Sequence, residues 1–169
     1  IRLGQLKQSV LCIEKESPGG VCLNWGCIPS KALINAAHTY EKVKHGGMGL
    51  KVQGVSIDPN ELQDWKDGIV KKLTGGVKSL LKSNGADYAQ GDAKLTGPKT
   101  VEVTTADGKK EVYEAKKAIV IATGATTIEI PTFKFDGKQI IGAREAVSLR
   151  EIPKRMLVIG GGIIGLEQI

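Results

Sequence analysis

The sequence predicts an α/β fold of parallel strands and helices with a small antiparallel β-meander inserted, and three observations carry that prediction. Apolar runs at 9–13 (SVLCI), 118–123 (AIVIAT) and 156–159 (MLVI) each stop at a charge or a glycine, the profile of buried parallel strands. TVEVTT and KEVYEA alternate apolar and polar residues about Asp107-Gly108, a hairpin signal. Finally, Gly160-Gly161-Gly162-Ile163-Ile164-Gly165 follows the last apolar run directly and opens a helical pattern, fitting G-x-G-x-x-G between strand and helix.

The bulk numbers agree with a globular chain. Of 169 residues, 41% are hydrophobic and 25% charged, enough for one domain or one domain and part of another. No apolar run approaches the roughly 18 residues of a membrane-spanning helix. A formal charge of +6 invites a nucleic-acid partner, but the lysines are dispersed and only 4% of residues are aromatic. That pattern reads as a solvated basic face, and neither nucleic acid nor membrane is expected as a partner. Three cysteines do not make a secreted disulfide framework.

In chain order, IRLGQLKQ reads as the tail of a helix, the strand 9–13 ends at Glu14, and a loop covers 15–21. A helix follows from about Cys27 to Lys44, then a turn-rich connection over 46–60. From Glu61, apolar residues recur at Leu62, Trp65, Ile69, Leu73, Val77 and Leu80 with helical spacing. Lys66, Lys71, Lys72, Lys78 and Lys82 mostly fall off that stripe and are expected on a solvated face; Asn84-Gly85 ends the helix. The hairpin comes next, then AIVIAT closed by Gly124, and MLVI running into Gly160. The chain thus holds the second strand of one βαβ unit and the first strand of another. Both ends fall in mid-element, so it is expected to be a piece of a larger protein. Residues 1–150 form one nucleotide-type domain lacking its first glycine loop, and residues 151–169 start a second.

The chemistry concentrates in a few residues. In the glycine loop, Gly160 permits the tight turn, Gly162 lets backbone approach a pyrophosphate, and Gly165 lets the helix pack close to the strand. Glu14, at a strand end, suits a carboxylate that accepts from an adenosine ribose, although taken alone an exposed strand-end charge explains it better. Cys22 and Cys27 lie too far apart on an ideal helix to be bridged, because five helical steps rise about 7.5 Å. A bridge there needs an irregular turn, for which Asn24-Trp25-Gly26 supplies residues, and Pro29 fits the first turn of the helix beyond. A structural disulfide and two buried thiols remain alternatives; a zinc site has neither the spacing nor the ligands, and no metal is expected. The redox reading gains from Cys27 at a helix N-terminus, which lowers a thiol pKa, and from Lys31 one turn along on the same face. Cys12 reads as core, and His38 as a structural histidine.

GGVCLNWGCIPSKAL resembles the redox-disulfide signature of the FAD-dependent pyridine nucleotide–disulfide oxidoreductases. The likeness runs the length of the chain, through IEKE, Ala122-Thr123-Gly124 and Gly160 to Glu167, with the cysteine segment its most specific part. It implies a Rossmann-like FAD-binding domain over 1–150 with a small antiparallel β-meander insertion, then the start of a second, NAD-binding Rossmann-like domain over 151–169. The Leu-Asn-Trp-Gly-Cys-Ile-Pro-Ser-Lys-Ala-Leu form points to the branch that oxidises protein-bound dihydrolipoamide and reduces NAD. A glutathione- or mercuric-reductase type, or a non-catalytic fragment with a structural disulfide, is the alternative.

Carried over residue by residue, the resemblance makes Cys22 the outer, interchange thiol and Cys27 the inner thiol against the flavin. Lys31 would sit near flavin N5, paired with Glu167. Glu14, Gly19, Gly20, Gly91, Thr123 and Gly124 would hold FAD, and Gly160, Gly162 and Gly165 the second nucleotide. The implied partners are lipoyl domains of 2-oxo acid dehydrogenase or glycine cleavage complexes, with a homodimer for the complete protein. The implied compartment is bacterial cytoplasm, or mitochondrial matrix or plastid in a eukaryote. The family's histidine–glutamate acid–base pair lies outside this sequence, and the 169-residue chain alone is expected to be inactive. Gln168-Ile169 departs from the usual apolar-then-small residues after Gly-Leu-Glu.

Overall fold

A computed structural model describes residues 1–168; Ile169, half of that departure, lies outside the described residues. The elements in order are α1 (Arg2–Gln5), β1 (Leu11–Glu14), α2 (Gly20–Trp25), α3 (Cys27–His45) and α4 (Pro59–Ser83). They continue with β2 (Asp87–Gln90), β3 (Asp92–Gly97), β4 (Thr100–Thr104), β5 (Lys110–Glu114), α5 (Ala143–Ala146) and α6 (Ile163–Leu166). The chain divides into two compact units, residues 1–20 with 73–124 and residues 21–72 with 125–169.

The first unit contains both sheets. β1 and β2 pair in parallel, Cys12 opposite Tyr88 and Glu14 opposite Gln90, so the expected strand forms but starts two residues later than its apolar run and ends one later. Its residues are half-buried rather than buried. β3, β4 and β5 make the antiparallel meander, with an irregularity at Leu95/Gly97. Alternation points Val101 and Val103 of β4 inward, where both are buried. The hairpin turns about Asp107-Gly108 as expected: Thr105 N–H donates to Lys109 O (2.9 Å), and its hydroxyl to the Asp107 carboxylate.

AIVIAT and MLVI are not strands. Among the described residues neither run finds a ladder partner, and Val120 (75%) and Leu157 (86%) stand exposed. An apolar run becomes a strand only when a neighbour satisfies its N–H and C=O groups, which composition does not supply.

In the second unit the core is notably polar. Pro29, Ala32 and Val147 are buried there beside Asn24, Ser30, Gln63 and Lys66. Lys66 corrects the expectation of a solvated lysine face. It is 4% exposed, its Nζ donating to Val147 O (3.2 Å) and lying 2.7 Å from Asp67 Oδ1. The stripe expected to be buried along α4 is instead partly open, with Trp65 48% exposed. No helix among the described residues is long and apolar enough to cross a membrane.

Candidate active site

Cys22 lies on α2 and Cys27 is the first residue of α3. Between them only Gly26 leaves helical geometry, at φ −130° and ψ −111°, while Asn24 and Trp25 remain inside α2 rather than forming the turn themselves. That single break brings the cysteine Cα atoms to 4.6 Å and lets the two sulfurs bond. A Cβ on residue 26 would press on Cys22 Cα and Val21 O, each at 3.2 Å, so the close approach favours glycine. α3 then starts at once, Ser30 N–H donating to Gly26 O at 3.0 Å with Pro29 buried in the first turn. Both cysteines are exposed. On opening the bond, Cys27 sits at the positive end of a 19-residue helix, which favours its thiolate.

One turn along, Lys31 pairs with Glu167, which follows α6 directly. The second carboxylate oxygen accepts from Ser30 Oγ at 2.9 Å, and the same hydroxyl lies 3.3 Å from Cys27 O. Glu167 is therefore gripped at both oxygens by consecutive residues of α3. Lys31 above all, then Ser30, holds its carboxyl below the usual carboxylate range. The Lys31 side chain is 59% exposed and that of Glu167 26%, so the pair keeps an open side. Ser30 is buried and was not singled out from sequence. Its partner lies 137 residues away, and no local pattern marks it.

Glu14, Gly19, Gly20, Gly91, Thr123 and Gly124, the residues expected to hold FAD, fall in the first unit. Glu14 ends β1, with Oε1 accepting from Glu16 N–H (2.9 Å) and Oε2 without a partner among the described residues. A strand-end carboxylate with one oxygen fixed and one available fits a ribose diol as donor. Gly19 (φ 119°) lies in the turn that follows and Gly20 (φ 74°) opens α2, with open space where a Cβ on Gly20 would stand. Thr123 and Gly124 (φ 77°) lie in exposed irregular backbone. Gly91 has a packing reason of its own, because a Cβ there would come within 2.6 Å of Thr104 O in β4.

In the second unit, Gly160 (φ 110°) makes the turn and Gly162 is the N-cap of α6. A Cβ on Gly165 would fall 2.1 Å from Gly160 O, the contact expected of the third glycine in such a loop. Cys12 plays no part in this arrangement; burial, then Glu14, pushes its thiol above the ordinary value.

The sequence pattern described as "Pyridine nucleotide-disulphide oxidoreductase" matches residues 1–169. Dihydrolipoyl dehydrogenase of Geobacillus stearothermophilus is 50% identical over 168 residues, 99% of this chain and 35% of that protein. The mitochondrial dihydrolipoyl dehydrogenase of Dictyostelium discoideum is 46% identical over 170 residues, again 99% of this chain and 35% of the relative. The chain thus spans about a third of the length of these curated relatives. Among solved structures, the HOCl-induced flavoprotein disulfide reductase RclA from Escherichia coli superposes with a TM-score of 0.76 at 23% identity, over 98% of this chain and 34% of that one. LpdA from Mycobacterium tuberculosis does so at 0.73 and 22%, over 86% and 32%. At these identities the structures speak for the α/β fold.

Proposed function

The chain belongs to the pyridine nucleotide-disulphide oxidoreductases, and from that premise we propose that it carries the redox site of a dihydrolipoamide dehydrogenase. The observation that carries the reading is the exposed Cys22–Cys27 disulfide at the mouth of α3, with Lys31 and Glu167 one turn away. One thiolate of dihydrolipoamide attacks Cys22 Sγ; the S–S bond breaks and Cys27 leaves as a thiolate, favoured by the helix end. The second substrate thiolate then attacks the lipoyl sulfur of the mixed disulfide, closing the dithiolane and releasing Cys22. Two electrons now rest on the cysteine pair. Of the two substrate protons, one is on Cys22 and one has gone to solvent.

FAD, when bound, would supply the two-electron acceptor for the cysteine pair, with NAD as the final acceptor. Glu14, Gly19, Gly20, Gly91, Thr123 and Gly124 would hold it, within a domain over residues 1–150. Gly160, Gly162, Gly165 and Glu167 would open the NAD-binding part over 151–169. Lys31 keeps a positive charge beside Cys27, and Glu167 with Ser30 fixes where that charge sits. The partners of this reading are lipoyl domains of 2-oxo acid dehydrogenase or glycine cleavage complexes, met by a homodimer of the complete protein. Its compartment is bacterial cytoplasm, or mitochondrial matrix or plastid. The test is Cys22→Ser in the complete protein. It should end lipoamide-dependent NADH formation while FAD stays bound and a long-wavelength band from the Cys27 thiolate appears. Undiminished turnover would remove the reading.

A further inference from the structure

Trp25 is the last residue of the helix that carries Cys22, immediately before the Gly26 break. The Arg144 guanidinium carbon lies 3.9 Å from the centre of its ring. Arg144 itself stands on α5, a four-residue helix that would be marginal alone but is fixed at both ends. At the start, Gly142 N–H donates to Glu145 Oε2 (2.9 Å). Beyond the end, Lys66 Nζ donates to Val147 O and Gln63 Nε2 to Leu149 O (2.9 Å), while Arg150 pairs with Asp64 (2.8 Å). The ring is half-buried and the arginine exposed, on a platform bonded to α4 at several points.

From this geometry, and resting on the redox reading above, we propose that Arg144 is a positioning residue that holds the Cys22 helix against α5 through Trp25, so that the cysteines stay aligned when their disulfide is open. In the oxidised protein the S–S bond itself ties α2 to α3. On reduction that tie is lost and Gly26 is free to swing, but the Trp25–Arg144 stack involves no sulfur and persists. The stack restricts α2 in the dithiol form, where freedom would otherwise be gained, and so favours closure of the pair. An indole is the best ring for this contact, and because the ordering it imposes on α2 in the dithiol cannot exceed the energy of the stack, that energy at an exposed site sets the scale of the shift, roughly two- to five-fold.

The test is the closure equilibrium of the complete protein against dithiothreitol, without lipoamide or NAD, read by thiol alkylation and mass. Closure transfers two electrons and two protons from the cysteines to oxidised dithiothreitol, which leaves as the dithiol. Arg144→Gln and Trp25→Leu should each shift the equilibrium about two- to five-fold toward the open dithiol, roughly 9–21 mV less negative. The double variant should move no further than either single, and Arg144→Lys should return to within about two-fold of the parent. Unshifted equilibria, or single effects that multiply in the double variant, would overturn the proposal. Lipoamide is absent from this assay, so a normal shift beside a protein that fails to use lipoamide would sink the substrate reading and leave the clamp standing.

Discussion

Replacing Lys66 by Met removes one ammonium from an interior that has little else to offer its partner. Lys66 is 4% exposed, and the group it serves is the carbonyl of Val147, itself 2% exposed, at 3.2 Å. Methionine keeps most of the side-chain volume, so the packing cost is small. What goes is a hydrogen bond from a charged donor, worth about 1.5–3 kcal/mol, and the carbonyl is left without that bond. Asp67, the other neighbour of Nζ, is 55% exposed and turns to water with little loss. The effect is therefore concentrated on α5. Ala146 and Val147 donate their amides to Gly142 O (3.0 Å) and Ala143 O (3.2 Å), and these report its opening. Native-state hydrogen exchange at the two amides should speed up by about 10- to 150-fold in Lys66→Met, the kinetic equivalent of that free energy. Lys66→Ala should go further, because burying fewer methylenes adds about 0.8 kcal/mol for each one lost. Exchange within two-fold of the parent would mean that Lys66 is buried for no energetic reason, and the pinned platform would fall with it.

Gly165→Ala should abolish nucleotide binding at the second glycine loop and lower expression, since its Cβ would lie 2.1 Å from a backbone oxygen that has no side chain to move aside; unchanged NAD affinity in the complete protein would contradict this. Glu167 has a carboxyl held below its ordinary value by Lys31 and Ser30, so its stabilising contribution is complete above the unfolded pKa of about 4.3 and fades as pH falls through the lower folded one. The melting difference between parent and Glu167→Gln should accordingly shrink from about pH 5 to pH 3, and a difference that grows on acidification would reverse the assignment. Lys31→Met and Glu167→Gln should be non-additive in a double-mutant cycle on flavin reduction, because the two side chains bond to one another; strict additivity would mean that the contact has no part in the reaction.

Where function is local in the chain, the sequence was legible. The Cys22-to-Lys31 segment placed a helix mouth, a break and a flanking lysine within ten residues, and α3 starts at Cys27 as the spacing required. α4 was recognisable from its helical stripe and from Asn84-Gly85 at its end. The stripe misled about burial, however. α4 buries Gln63 and Lys66, polar residues whose bonds go to carbonyls on a distant segment. Pattern reading assigns a lysine to solvent, because burial is favourable only when a partner exists that the pattern does not show. β2 was missed for a related reason: Asp-Tyr-Ala-Gln has no strong strand character, and pairing with β1 decides it. AIVIAT and MLVI err the other way, having strand composition and no partner among the described residues. Ser30 and Arg144 were silent because their roles exist only in contacts made across the fold.

The central claim is that Cys22 and Cys27, and not Cys12, exchange electrons with a dithiol substrate. It is tested most directly by adding one equivalent of dihydrolipoamide anaerobically to the complete protein and trapping with an alkylating agent over time. Cys22 should be labelled first, as the outer thiol. Cys27 should follow more slowly, because the inner thiol of this reading lies against the flavin and is shielded by it, and Cys12, with its thiol pKa raised by burial, should stay unlabelled. Labelling confined to Cys12, or none at either Cys22 or Cys27 after dihydrolipoamide, would contradict the account.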